Sequence, residues 1–212
     1  MVMSNDAPVA YDGAMAQAAF QEKAGDERGS NLLVVSPYTN ASHLFELNSV
    51  SPPNRLLAQA LTVMRATRDD YAVGPYTDVF NWDEVVERVR ALSEEEHFTW
   101  RTASFYVVVF RSRVPPWTDR THLAALDIKS HEEAIESGGL LKYWFGVPDA
   151  DGRNLATCVW RERNDARQGS KGDGHRRAVL ATQGLYTEWK LERLRLTIHD
   201  DARAWDIAEW ED

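Results

Sequence analysis

The chain has 212 residues, 43% of them apolar and 10% aromatic. That is enough to bury about 70% of the surface the unfolded chain exposes, which favours one main domain with an extension over two full domains. With 33 acidic against 24 basic residues the net charge is −9, which speaks against nucleic acid or an anionic membrane as the main partner, since both need a basic face; the one cysteine, Cys158, excludes an internal disulfide and a cysteine-based zinc site.

Residues 1–30 are small, polar and charged and are expected to form a flexible tail. They lack a basic start followed by a secretory apolar stretch, and no apolar run approaches the ~20 residues of a membrane span, so a soluble cytoplasmic protein is expected. Residues 31–99 break into short apolar pieces separated by SPYTN, SVSPPN and YAVGPY, which are turn signals. Within them PNRLLAQALTVM places Leu56, Leu57, Ala60, Leu61 and Met64 on one helical face. NWDEVVERVRALSEEEHF gives a second helix with Asn81 as N-cap and Val85, Val86, Val89 and Leu92 as the buried stripe. This region reads as a helical extension packed on the main domain.

The main domain is expected over residues 100–200. TASFYVVVFRSRV is β-branched and aromatic and predicts a strand, followed by the helical spacing of THLAALDIKSHEEAIESGG. Ser130 and Glu133 have capping-box spacing, which suggests that the helix breaks and restarts there; Gly138 suits its end. A hairpin, YWFGVPDADGRNLATCVW, is followed by a helical region interrupted by glycines and by a last strand beginning near Tyr186, with LERLRL read as a half-exposed edge. The order β-α-β-β-α-β is the ferredoxin-like α+β arrangement, an antiparallel sheet with helices on one face. Residues 201–212 form an acidic tail with Trp205, Ile207 and Trp210 as anchors.

Alternation leaves both faces of the sheet apolar, and helices cover only one of them. The second face needs a cover, which could be residues 32–98, a second protomer in a homodimer, or a bound apolar molecule.

The peptides LNSVSPPNRLLAQALTVM, RDDYAVGPY, FNWDEV, GGLLKYWFG, GRNLATCVWR and LYTEWKLERLRL resemble an uncharacterised, chiefly fungal protein family, from about residue 44 to the last strand. In element order the second half is similar to the dimeric α+β barrel superfamily. The first resemblance implies no activity. The second implies a range of roles that includes cofactor-independent oxygenation, haem binding, and cyclisation or isomerisation of polyketide-like compounds, and fold analogy does not choose among them.

His175, after Gly172-Asp173-Gly174 at a helix start, is the candidate general base or axial haem ligand, because the helix dipole favours the neutral imidazole. The plainer reading is that Asp173 or His175 caps the helix. Arg176 belongs to a basic stretch, residues 161–177, suited to a carboxylate. Trp144, Trp160, Trp189, Tyr106, Tyr143 and Tyr186 are candidate ligand-binding residues, although aromatics at strand spacing are more often core. His122, His131, His97 and His199 show no metal-ligand spacing, and P-loop, GxSxG and strand-linked GxGxxG motifs are absent, so neither a metal nor a tightly held cofactor is expected.

Two function classes follow. One is a protein that binds a small apolar or aromatic molecule, with or without an anionic group, between the sheet and its cover, with proton-transfer, oxygenase or cyclase chemistry open to it. The other is a non-catalytic interaction or structural protein whose second sheet face is consumed by its own extension or by a protomer.

Overall fold

The computed structural model describes residues 31–182 and 184–211; the expected tail at residues 1–30 lies outside them. In chain order the elements are β1 (Leu32–Val34), β2 (Leu44–Glu46), α1 (Pro52–Ala60), α2 (Trp82–Glu95), β3 (Ala103–Arg113), α3 (Arg120–Ser137), β4 (Leu140–Phe145), β5 (Arg153–Trp160), α4 (Arg163–Gly169), α5 (Asp173–Thr182), β6 (Glu188–Ile198) and β7 (Trp205–Glu209).

β3 is the middle of a five-stranded antiparallel sheet ordered β4-β5-β3-β6-β7. It pairs with β6 from Ala103↔Ile198 to Arg113↔Glu188 and with β5 from Tyr106↔Trp160 to Arg113↔Arg153. The run from β3 to β6 is the ferredoxin-like β-α-β-β-α-β order. Two expectations are corrected. β6 is not an edge, because the residues read as a tail supply β7 outside it. α3 does not break at Ser130, whose hydroxyl donates to the Leu126 carbonyl at 2.9 Å instead of capping a new helix.

Local chemistry sets the boundaries. Ser51 precedes a helix that opens on two prolines, where a missing N–H leaves nothing unpaired. The Asp119 carboxylate accepts from the Thr121 and His122 N–H groups at 3.0 and 3.1 Å and so caps α3. Gly138 ends that helix with φ +80°, a conformation that strains any residue with a Cβ.

Residues 31–100 cover one sheet face. Phe105, Val107, Val109, Leu155, Val159, Leu196 and Ile198 are buried beneath Leu56, Leu57 and Leu61 around α1, the Tyr76–Val79–Phe80–Trp82 cluster, and Val85 and Val89 of α2. Each fully buried Leu, Val or Phe contributes about 1.5–3 kcal/mol, so the covering segment is held by many such side chains. Polar side chains also tie the extension to this face. Arg111 pairs with Glu192 at 2.8 Å and donates to the carbonyls of Tyr71, Ala72 and Gly74 at 3.0, 2.7 and 2.8 Å, while the Tyr76 hydroxyl meets Thr157 at 2.8 Å. The cover left open by the sequence is therefore the chain's own extension.

Candidate functional site on the helix side of the sheet

Register assigns the other face. Tyr106, Val108 and Phe110 of β3 lie beside Trp160, Cys158 and Ala156 of β5 and beside Arg195, Arg193 and Leu191 of β6. α4 settles closely on one end, because Gly169 has no side chain: a Cβ there would stand 2.8 Å from the Trp160 ring. α5 packs chiefly on α3 instead of on the strands. The consequence is a face left half open toward β6: Val108, Phe110, Ala156 and Cys158 are only partly buried, Leu191 is at the surface and Trp189 is 64% exposed. Tyr186 lies 5.4 Å from the Phe110 ring and Trp189 6.3 Å from it.

At the deep end, toward β4, sits a polar cluster inside an aromatic wall. The Asp127 carboxylate of α3 accepts hydrogen bonds from Tyr143 (2.6 Å) and from Tyr38. Next to it His43 and His131 face each other Nδ1 to Nδ1 at 2.8 Å, and His43 Nε2 is 3.8 Å from Glu132. The rings of Tyr38 and Tyr143 lie 5.2 and 5.4 Å from the His131 ring.

Burial dominates the electrostatics. It pushes the Asp127 carboxyl up, against the pull of both phenols, and drives His131 down to about 3 with help from His43. His43 is also lowered by burial, against the attraction of Glu132 and Asp127. Burial and then the Asp127 charge raise Tyr186 to about 12, so that carboxylate is felt inside the aromatic run. Cys158 is pushed up to about 12 by burial, which leaves it an inert thiol.

The residues singled out from the sequence separate accordingly. Tyr143 is in the cluster, while Tyr186 and Trp189 lie along the half-open run. Tyr106 is buried edge-on to Trp210 at 4.9 Å, and Trp160 lies under α4. Trp144 is on the opposite face, edge-on to Phe80 and Tyr71 at 4.9 and 5.4 Å, among buried side chains. Around Trp144 the space expected between the sheet and its cover is therefore filled by the extension's own rings, while a cavity of about 480 Å³ remains farther along that layer, between residues 72–76 and Arg111, Trp189 and Glu192; the partly exposed aromatic run is on the helix side. Arg176 is ion-paired with Asp173 on exposed α5.

Burial acts on His175 in the same direction as the helix start was expected to. Its imidazole is lowered by burial, opposed by Glu133. The helix start is capped by neither Asp173 nor His175 but by Glu133 of α3, which accepts from the Gly174 and His175 N–H groups at 2.7 and 3.0 Å. An axial haem role needs a large apolar cavity at the imidazole; His175 lies on α5, which packs chiefly on α3, and it lines neither of two cavities of about 480 Å³, one beside Asp83, Glu87 and Arg203 and one between residues 72–76 and Arg111. Among the described residues no group of three or more His, Cys, Asp or Glu is placed to hold a metal ion, and no helix is long and apolar enough to cross a membrane.

Sequence reasoning missed Tyr38, His43 and Asp127 and passed over His131. One signal was available: Asp127 and His131 are four apart and sit in the inward stripe of Leu123, Ala134 and Ile135, where a polar residue is unusual.

Solved structures similar to this chain include Rv0793 from Mycobacterium tuberculosis, 16% identical with a TM-score of 0.38 over 42% of this chain and 92% of that one. SnoaB, a cofactor-independent oxygenase from Streptomyces nogalater, is 18% identical with a TM-score of 0.35 over 42% and 91% of the two chains. The UPF0643 protein PB2B2.08 of Schizosaccharomyces pombe is 39% identical over 170 residues, 77% of each chain. With residues 34–209 matching as well, the chain belongs to the PB2B2.08-like family.

Proposed function

We propose that the chain binds a small aromatic or apolar molecule on the helix side of its sheet, over Phe110, Tyr186, Leu191 and Trp189, with Asp127 and its two phenols at the polar end. The asymmetry of the sheet carries this reading. One face is largely closed by the extension, whereas the other keeps a partly exposed aromatic run and, toward β4, a part-buried carboxyl. Exposed apolar surface beside convergent polar groups is the usual form of a small-molecule site. Arg193 and Arg195, on the same face, favour an anionic substituent on the ligand.

The chemistry open to such a site is proton transfer without a metal. A carboxyl with a raised pKa can take a proton from a bound carbon or oxygen acid, and phenols beside it can donate to the charge that develops. Asp127 is a better proton acceptor here than His175, because the aromatics gather around Asp127.

The competing reading, a non-catalytic structural protein, draws on the solid packing of the opposite face. Titration of isotope-labelled protein with 1-naphthoic acid separates the two. Saturable shift changes at Phe110, Tyr186 and Leu191 are expected; no binding, or changes confined to the extension side, would overturn the ligand reading.

A further inference from the structure

Residues 35–43 cross the free edge of the sheet. The Val35 carbonyl accepts from the Tyr143 N–H at 2.8 Å, which places the chain beside β4. Tyr38 then reaches Asp127 on α3, His43 reaches His131, and the Ser42 hydroxyl donates to Glu132 at 3.1 Å. The segment thus ties β4 to α3 and closes that side of the layer holding the aromatic run. Both of its joined imidazoles are buried, His43 at 2% and His131 at 4% exposure.

An Nδ1-to-Nδ1 contact needs one N–H and one lone pair. The Glu132 carboxylate near His43 Nε2 favours a hydrogen there, so His131 Nδ1 carries the shared hydrogen and His131 Nε2 is a bare acceptor. That assignment fits a second observation: His131 Nε2 is buried without a hydrogen-bond partner among the described residues. An unpaired lone pair in that position is less costly than an unpaired N–H. When both rings are protonated, N–H faces N–H and the contact must part.

We propose that residues 36–43 are a strap over the β4 side of the proposed ligand site, held shut by the hydrogen that His43 and His131 share and released when both rings are protonated. The inference rests on the ligand reading for its purpose, though not for its geometry. Burial lowers both imidazoles, so the closed form holds fewer protons than the open one, and acid favours opening. Closure is complete above the free imidazole value of about 6.5 and weakens as pH falls toward the buried value. The other groups facing the pair are Tyr38 and Ser42 on the strap, Asp127 and Glu132 on α3, with Lys129 paired to Glu132, and Tyr143 on β4. The Tyr143 phenol, pushed well up by burial, stays protonated throughout this range. Asp127, with its raised pKa, acts the other way, toward closure, only as pH reaches its own range. Counting His131 alone, at about 3 when closed and ~6.5 when open, the open population rises about thirty-fold between pH 8 and pH 5, and His43, lowered in the same direction, adds to that rise.

Amide hydrogen exchange of residues 36–43, corrected for intrinsic pH dependence, reads this directly. The protection of the strap should fall about thirty-fold or more from pH 8 to pH 5 while β3 is unchanged, and in His131→Phe it should lose most of that pH dependence, keeping only the share that belongs to His43. A strap indifferent to pH, or equally sensitive in His131→Phe, would overturn the proposal. Imidazole nitrogen shifts of the unmodified protein give a test that needs no variant: a hydrogen on His131 Nε2 at pH 8 would sink the assignment. Binding of 1-naphthoic acid at the two pH values distinguishes the layers of the argument. Acid-dependent affinity supports gating, and unchanged affinity with an opening strap refutes gating. With no binding at either pH the ligand reading falls, and the opening of the strap is decided by exchange alone.

Discussion

The two faces of the sheet are built from the same strands with nearly equal apolar content, yet one is sealed and the other half open. On the extension side Val107, Val109, Leu155 and Val159 are fully buried; one residue along each strand, Val108, Phe110, Ala156 and Cys158 are not. The difference lies in the covers. Residues 31–100 bring large rings and leucines to the sheet, whereas α5 leans on α3 and the described residues leave the β6 side partly uncovered. A face that a small protein leaves open next to a buried carboxyl, when it has the chain length to close the other, is where function is to be sought.

The strongest way to test this contrast is to delete a ring from the sealed side. Trp100 is 1% exposed and donates its indole N–H to the Ile198 carbonyl at 3.2 Å. Trp100→Ala should lower unfolding stability by about 3–5 kcal/mol in urea titration, through lost burial and the cavity left behind. A loss below about 1 kcal/mol would mean that the extension is not a sealed layer.

The next effect is a pH dependence. Because the folded value of His131 is pushed down to about 3, its contribution to stability is present above ~6.5 and is lost as pH falls toward that lower value. Between pH 8 and pH 5 the unmodified protein should lose about 2 kcal/mol more than His131→Phe. Parallel stability-versus-pH curves would show that the pair is not buried as described.

Smaller again is the lock around Asp127. Tyr143→Phe and Tyr38→Phe should each cost about 1 kcal/mol, since each removes a hydrogen bond to a carboxylate and leaves the other in place. The double variant should cost clearly more or less than the sum, because the two phenols share one acceptor. Strict additivity would separate Tyr38 from the cluster.

The legible part of this molecule is the part governed by short-range pattern. β3, β4 and β5 are runs of β-branched and aromatic residues, so the ferredoxin-like order could be read directly; α2 shows its stripe, but Asn81, which does precede the helix, accepts from the Arg65 N–H through Oδ1 and makes no side-chain cap. β7 was hidden because Trp205, Ile207 and their polar neighbours alternate over only five residues in an acidic stretch. Trp144 and Trp160 looked like one wall, yet the pairings Trp144↔Thr157 and Trp160↔Tyr106 put them on opposite faces; parity within a strand does not reveal parity between strands. The Asp127 cluster was the least legible, since Tyr38 and His43 reach α3 across 89 and 88 residues of sequence. Only the polar break in the inward stripe of α3 hinted at it.

The smallest stability effect should accompany the largest effect on binding, and that inversion is the sharpest test of the two faces. Trp189 is the same residue type as Trp100, but it is 64% exposed, with its ring 6.3 Å from that of Phe110. Trp189→Ala should therefore change unfolding stability by less than about 0.5 kcal/mol. If the open face is a ligand surface, the loss of that indole removes stacking area from the bound aromatic, and affinity for 1-naphthoic acid should fall about ten-fold, equivalent to ~1.4 kcal/mol. Equal affinity in the variant and the unmodified protein would place the ligand away from β6. A marked loss of stability would show instead that Trp189 belongs to the core and that the face is closed in solution.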